Sequence, residues 1–288
     1  MSALDDADVP AERLSPLEEF RRAPGAFIGR RPHLALVPLV LIVVVGAWEG
    51  IVRIWRIPEF LVPAPSAIGR ALVAGLTSRL YLEHFWITFY ESLLGFLIAA
   101  AAGIACGTII AQFRVVERTL YPYLVALQTL PKIAIAPLLI FWAGIGTLPK
   151  VMVAFLISFF PIIIDTVVGL RSVEPEMLHL ARSMGAGEMR IFLKIRFPTA
   201  LPNLFAGLKV AVTLAVVGAI VGEFIQADQG LGYALLQANA VLNTKLGFAA
   251  IIVLAAVGIA LFVVVDVIER RLIPWHASRR SDLAAGTL

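Results

Sequence analysis

The sequence predicts an all-α integral membrane protein with six transmembrane helices. Three observations carry this. The 288 residues are 60% hydrophobic and only 15% charged, with a mean hydropathy of +0.90, whereas soluble chains are about a quarter charged. The apolar residues fall into six blocks close to the ~20 residues that cross a bilayer. The basic residues gather in alternate connections, the asymmetry that orients membrane proteins.

Residues 1–33 read as a polar tail. The stretch begins acidic, ends on Arg21, Arg22, Arg30 and Arg31, and is too long and too charged for a cleaved leader. Residues 34–272 hold the predicted spans: Leu34–Val52, Phe85–Ala111, Leu120–Trp142, Val151–Leu170, Leu201–Phe224 and Gly247–Ile268. The third is interrupted by Pro122, Pro131 and Pro137, with Lys132 near its middle. Proline removes a backbone donor, and such breaks persist in a bilayer only where protein or water satisfies the freed groups. That span is therefore expected to face protein or a pathway. Glycines four apart, Gly46/Gly50, Gly103/Gly107 and Gly218/Gly222, offer close helix approach. Residues 273–288 read as a second tail.

Orientation follows from the loops. Sixteen of the 24 Lys and Arg residues lie in the two tails, the connection after span two and the connection between spans four and five. Six lie opposite: Arg53, Arg56, Arg70, Arg79, Lys150 and Lys245. Both termini are thus expected in the cytoplasm. The net charge of +4 is loop bias and gives no reason to invoke nucleic acid.

Several chemistries find no support. The string nearest a phosphate loop, Gly144–Val151, has Pro149 where the second glycine should stand and Val151 where the metal-binding hydroxyl should be. His33, His84, His179 and His276 are scattered, with no metal-ligand spacing. No G-x-S-x-G elbow occurs. The lone Cys106 sits in an apolar run and reads as packing. Nothing marks an enzyme or a cofactor site.

The connection 171–200 is unlike its surroundings. It carries Arg182, Arg190, Lys194 and Arg196 between two apolar blocks. Glu174-Pro175-Glu176 is a helix start, with acids where the dipole favours them. A short amphipathic helix over Met177–Met184 follows, with Leu178, Ala181 and Met184 as its stripe. Gly185 and Gly187 bend the chain, and Glu188–Ile195 resumes a helix. From the residues alone this fits either a docking knob or a helix lying on lipid head groups.

Here the sequence resembles a known family. The pattern E-A-A-x3-G-x9-I-x-L-P marks the cytoplasmic loop of permease subunits of bacterial ABC importers. This chain reads His179-Leu180-Ala181, Gly185, Ile195, Arg196 and Phe197-Pro198 at that spacing, departing at His179, Leu180 and Phe197. "FLVPAPSAI", "LPKIAIAPLLIFWAGIG", "GEFIQADQGLGYAL" and "ERRLIPWH" look like the nitrate, sulfonate and taurine branch, which includes riboflavin, pyrimidine-precursor and aromatic-acid permeases. The wording of "QTLPKIAIAPL" and "IPWH" leans to the vitamin-precursor and aromatic members, with sulfonate, taurine or nitrate as the alternative.

The resemblance implies a type I importer permease fold with a coupling helix in a bacterial inner membrane. Glu176, His179, Ala181, Arg182, Met184 and Gly185 would then contact an ATPase subunit. It also implies that ATP and Mg bind that subunit, that a periplasmic or lipid-anchored binding protein delivers substrate, and that a second copy completes the path. His179 in place of the acid leaves any salt bridge from that position without its carboxylate.

Ionisable and polar groups inside spans are candidates for the path. Lys132 leads, with Gln128, Ser158 and Asn203; snorkelling or interhelical hydrogen bonding competes for each. Glu223 and Asp228 are expected to order the segment around "GLGYALL", and Glu49 and Glu91 to be solvated near an interface. A secondary transporter working alone is the competing class, but it calls for more intramembrane carboxylates than the sequence offers.

Overall fold

A computed structural model describes residues 32–226 and 228–274. The tails predicted at either end lie almost wholly outside the described residues. Every regular element among those residues is helical, as a bilayer demands of a chain that must satisfy its backbone internally.

The helices run α1 (Pro32–Ile54), α2 (Pro65–Thr77), α3 (Leu80–Gln112), α4 (Arg114–Thr129), α5 (Lys132–Ala143), α6 (Thr147–Arg171), α7 (Pro175–Ser183) and α8 (Glu188–Ile191). A five-residue π-helical turn, Phe192–Arg196, joins α8 to α9 (Phe197–Ile225), and α10 (Leu231–Ala240) and α11 (Thr244–Leu272) follow. All six predicted apolar segments are helical. Among the described residues α3, α6, α9 and α11 are each long and apolar enough to cross a membrane, and α4–α5 counts as a fifth span if the bent pair is taken as one. At 1.5 Å per residue the 23 residues of α1 reach about 34 Å.

α6 is the central element, with α3 on one side and α9 on the other. Small residues set how close these helices come. A Cβ at Gly95 of α3 would lie 2.5 Å from the Ala154 Cβ, and one at Gly218 of α9 would lie 2.6 Å from the Ala154 Cα. Ala154 is thus clamped between two glycines. Gly103 abuts Ile162, Gly107 abuts Thr166 and Gly222 abuts Lys150. Two of the three predicted glycine pairs therefore pack helices. A Cβ added at Gly46 or Gly50 meets no described residue within 4 Å.

The third span breaks as its prolines require. Leu130 is extended (φ −63°, ψ 138°), because the residue before proline is pushed out of the helical region. The chain turns by 93° between the two halves. The stretch read as one loop between spans one and two contains α2. Glu49, expected to be solvated, is occupied there: its carboxylate accepts from Ser66 N (2.9 Å) and Ser66 Oγ (2.8 Å) and pairs with Arg53 at 2.5 Å. It thereby holds the N-terminus of α2 against α1.

Candidate functional site

Two ends of the bundle can be told apart by the short helices they carry, α7 at one and α10 at the other. At the α7 end the chain leaves α6 through Ser172–Glu174 and starts α7 on Pro175, whose missing N–H would have no partner in a first turn. Gly185 stops the helix with φ +77°, a conformation that costs other residues strain. Ala186 N donates to Ala181 O at 3.0 Å and Gly185 N to Arg182 O at 2.9 Å, so the end is capped by backbone alone.

α7 buries none of its residues. Its outward side carries Met177, Leu180 and, just past its end, Met184, exposed by 49, 62 and 79%. Helical spacing puts the three on one stripe. The predicted stripe of Leu178, Ala181 and Met184 therefore divides: Leu178 and Ala181 are half-buried against the chain, and Met184 faces out. Glu176, His179 and Gly185 are exposed. Arg182 Nε donates to Glu188 Oε1 at 2.9 Å, which braces α7 against α8 across the glycine joint. Behind α7 lies a cleft of about 680 Å³, walled by Gln112, Arg171, His179, Arg182, Glu188 and Arg196 among others. Arg171 is paired with Glu117 of α4.

The predicted path residues separate. Lys132 opens α5. Its Nζ donates to Gln128 O at 3.0 Å and sits 4.9 Å above the Phe160 ring. One of the carbonyls freed where α4 ends is thus capped by the lysine across the proline break. Gln128 has an exposed side chain. Asn203 is half-buried at the α6–α9 seam, where a Cβ at Gly169 would lie 3.1 Å from its own Cβ. Ser158 is fully buried, and its hydroxyl donates to Ala154 O at 2.5 Å within α6. A side chain closed in by helix packing and satisfied locally reaches no open surface of the chain.

Sequence reasoning missed Asp165. It is half-buried in α6 against Gly207 of α9, one turn along the seam from the Gly169–Asn203 contact, and makes no hydrogen bond or ion pair with another described residue. The rule that selected Lys132, an ionisable group inside a span, would have found it.

The α10 end holds a buried ionic cluster. Glu91 of α3 and Lys150 of α6 pair at 2.9 Å, with side chains 0 and 5% exposed. Glu223 of α9 neighbours Glu91 and accepts from Thr88 Oγ1 at 2.6 Å and from Gly232 N at 2.5 Å. Leu231 N donates to Thr88 Oγ1 at 2.9 Å, and Gly230 N donates to His84 Nδ1 at 3.0 Å. The first turn of α10 therefore has its orphan N–H groups satisfied by side chains of α3 and α9. Side chains at 230 or 232 would collide with the Glu223 carboxylate, which is why "GLG" stands there. Glu223 orders this segment as expected. Glu91 and Lys150, read as a solvated acid and a loop charge, are instead sealed against each other, because α6 begins one turn earlier than its apolar block.

Residues 99–274 match the family described as binding-protein-dependent transport system inner membrane component. The chain is 34% identical over 247 residues to the riboflavin transport system permease protein of Chloroflexus aurantiacus, covering 86% of this chain and 92% of that one. It is 34% identical to the formylaminopyrimidine transport permease protein of Halalkalibacterium halodurans (86% and 98%), and 30% identical to a putative aliphatic sulfonates transport permease protein of Bacillus subtilis (91% and 94%). Among solved structures it resembles a chain of the MetNI methionine ABC transporter in an inward-facing conformation, with TM-score 0.59 and 18% identity over 66% of this chain and 95% of that one.

Proposed function

We propose, from the premise that this chain belongs to the family of binding-protein-dependent transport system inner membrane components, that it carries a vitamin-type heteroaromatic solute as the permease of an ABC importer. As a member of that family it is a multi-pass inner membrane permease and not an enzyme. The finer reading concerns cargo, assembly and orientation. The single observation that carries the assembly is α7: a capped, rigid helix with no buried residue and an outward stripe of Met177, Leu180 and Met184. Exposed apolar side chains on a short helix between charged residues need a partner surface.

In this reading the α7 end faces the cytoplasm with both termini, and each α7 seats on one ATPase subunit. Glu176, His179, Ala181, Arg182, Met184 and Gly185 form or shape that contact. ATP and Mg²⁺ belong to the ATPase. Closure of two ATPase subunits pushes α7, and the Arg182–Glu188 brace passes the motion through the π-helical turn into α9. A second copy of the chain supplies the facing wall of the path, since closed two-fold assembly is the usual solution for identical chains. The wall contributed by this chain is the α6–α9 seam with Asn203 and Asp165, together with Gln128 and Lys132 at the α4–α5 break. A cation and an anion on one wall suit a polar heteroaromatic solute that offers both donors and acceptors. The 34% identity to riboflavin and formylaminopyrimidine permeases, against 30% for the sulfonate permease, supports the same cargo class.

The test is reconstitution with the cognate ATPase and binding protein in vesicles. Uptake is expected to require both partners and ATP. Uptake driven by an ion gradient without the ATPase would refute the assignment. Thermal shift of the binding protein against flavins, pyrimidines, aromatic acids, sulfonates and nitrate decides the cargo, and stabilisation by sulfonates alone would overturn the heteroaromatic reading.

A further inference from the structure

The cleft behind α7 holds one arginine with no direct hydrogen-bond or ion-pair partner among the described residues. Of the acids around it, Glu117 is held by Arg171 and Glu188 by Arg182. Arg196 also lines the cleft and its charge acts on the Glu188 carboxylate, yet it makes no hydrogen bond or ion pair with another described residue, and its Nε is buried without a partner among them. A buried donor left unmatched is costly and calls for an explanation. The backbone sets it there. Arg196 ends the π-helical turn Phe192–Arg196, and a π-turn shifts the side chains that follow it relative to a regular α-helix; such turns concentrate at functional sites. Position 179, acidic in the loop pattern, is His here, so α7 offers the cleft no carboxylate of its own.

We infer that the cleft receives a carboxylate from the ATPase subunit, an Asp or Glu side chain that docks on Arg196 beside the Met177–Leu180–Met184 stripe. This rests on the permease reading above. The apolar stripe and the cleft lie on two sides of the same short helix α7, so a protein surface seated on the stripe reaches the cleft only by sending a side chain round the helix. A flat lipid surface would cover the stripe without filling a pocket behind it. A guanidinium presents a planar fork that fits a carboxylate through two parallel hydrogen bonds. The polarity of the contact is thus reversed: the permease gives the cation and the ATPase the acid.

The experiment measures ATPase-subunit affinity for the purified permease in detergent, for wild type, Arg196→Lys, Arg196→Gln and Arg196→Glu, at low and high NaCl. Loss of a charge-assisted bidentate contact is expected to weaken binding by roughly 10- to 100-fold in Arg196→Gln and further in Arg196→Glu. Arg196→Lys is expected to retain part of the affinity. A Lys placed at one acidic position of the ATPase surface is expected to restore binding to Arg196→Glu.

The thermal midpoint of the isolated permease should be the same in all four. Unchanged affinity in Arg196→Gln overturns the inference while leaving the permease reading intact. A midpoint that falls in Arg196→Gln without the ATPase makes Arg196 an internal structural residue and also overturns it. Binding of inorganic phosphate to wild type but not to Arg196→Gln, with ATPase affinity unaltered, assigns the cleft to a free anion instead. Failure of the wild-type permease to hold the ATPase at all would sink the permease reading itself.

Discussion

Replacing Lys150 with methionine tests the ionic cluster at the α10 end. Lys150 and Glu91 are 5 and 0% exposed and bonded at 2.9 Å, and Glu91 Oε2 already lacks a partner. Methionine keeps the length and removes the charge, so two neighbouring carboxyls are left without the cation that faces them. Breaking a buried pair from one side costs about 3–5 kcal/mol, a shift of roughly two to four orders of magnitude in the unfolding equilibrium. Removing both partners should cost far less. The double variant Glu91→Leu/Lys150→Met keeps the Thr88 and Gly232 donors on Glu223 and is expected within about 1–2 kcal/mol of wild type, since apolar replacements of buried pairs are often neutral. The assay is unfolding of the isolated permease in mixed micelles as the denaturing detergent fraction rises. If Lys150→Met unfolds within 1 kcal/mol of wild type, or if the double variant is no better than the single one, the cluster does not hold the helices as described.

The α6 clamp makes a sharper contrast. Gly218→Leu would drive a side chain into Ala154, whose Cα lies 2.6 Å from the position of an added Cβ, and should destabilise the isolated permease by about 1–3 kcal/mol, whereas Gly46→Leu, with nothing within 4 Å, should leave its unfolding unchanged. Arg182→Glu sets two acids at the Arg182–Glu188 brace and is expected to abolish substrate-stimulated ATP hydrolysis while the membrane domain stays folded; normal stimulation in the purified complex would remove the brace from coupling. Lys132→Met uncaps Gln128 O, and uptake of the cargo in vesicles should fall at subsaturating concentration with ATPase binding retained; equal uptake would leave Lys132 a helix cap only.

Helix positions were legible because burial in a bilayer writes itself as uninterrupted apolar runs. Five of the six predicted spans correspond to single helices extended by a few residues at either end, and Pro131 marked the break in the other. The short helix α7 was legible from Glu174-Pro175-Glu176 and Gly185. Partnership was not. Nothing local in Glu91 announces a lysine 59 residues away, and the interfacial position that made solvation plausible is the position where α10 covers it. Asp165 was masked by its neighbours, since one carboxylate hardly changes the hydropathy of Val151–Leu170. Arg196 read as one more positive charge in a basic loop; its lack of a partner depends on where a π-helical turn points it. α2 was hidden because its apolar residues are too few for a span, and the hydrogen bonds that seat it come from Glu49.

The ionic cluster also has a history to satisfy during synthesis. Glu91, Lys150 and Glu223 belong to three helices that emerge in turn, and Thr88 and Glu223 are separated by 135 residues. At ribosomal rates of about 5–20 residues per second, α3 waits roughly 7–27 s before α9 has been made. Through that interval the charges of α3 and α6 enter the bilayer before the last acid arrives, each carrying an insertion penalty of about 3 kcal/mol at mid-membrane depth and less near the interface. α3 and α6 can neutralise each other as a pair; α9 then brings Glu223, and only its arrival completes the seat for α10. A chain that stalls or misinserts α9 is left with an unmatched polar patch within the lipid, a recognisable mark for membrane proteases and insertases. The same residues that fasten the finished bundle thus report, while it is being built, whether α9 has taken its place.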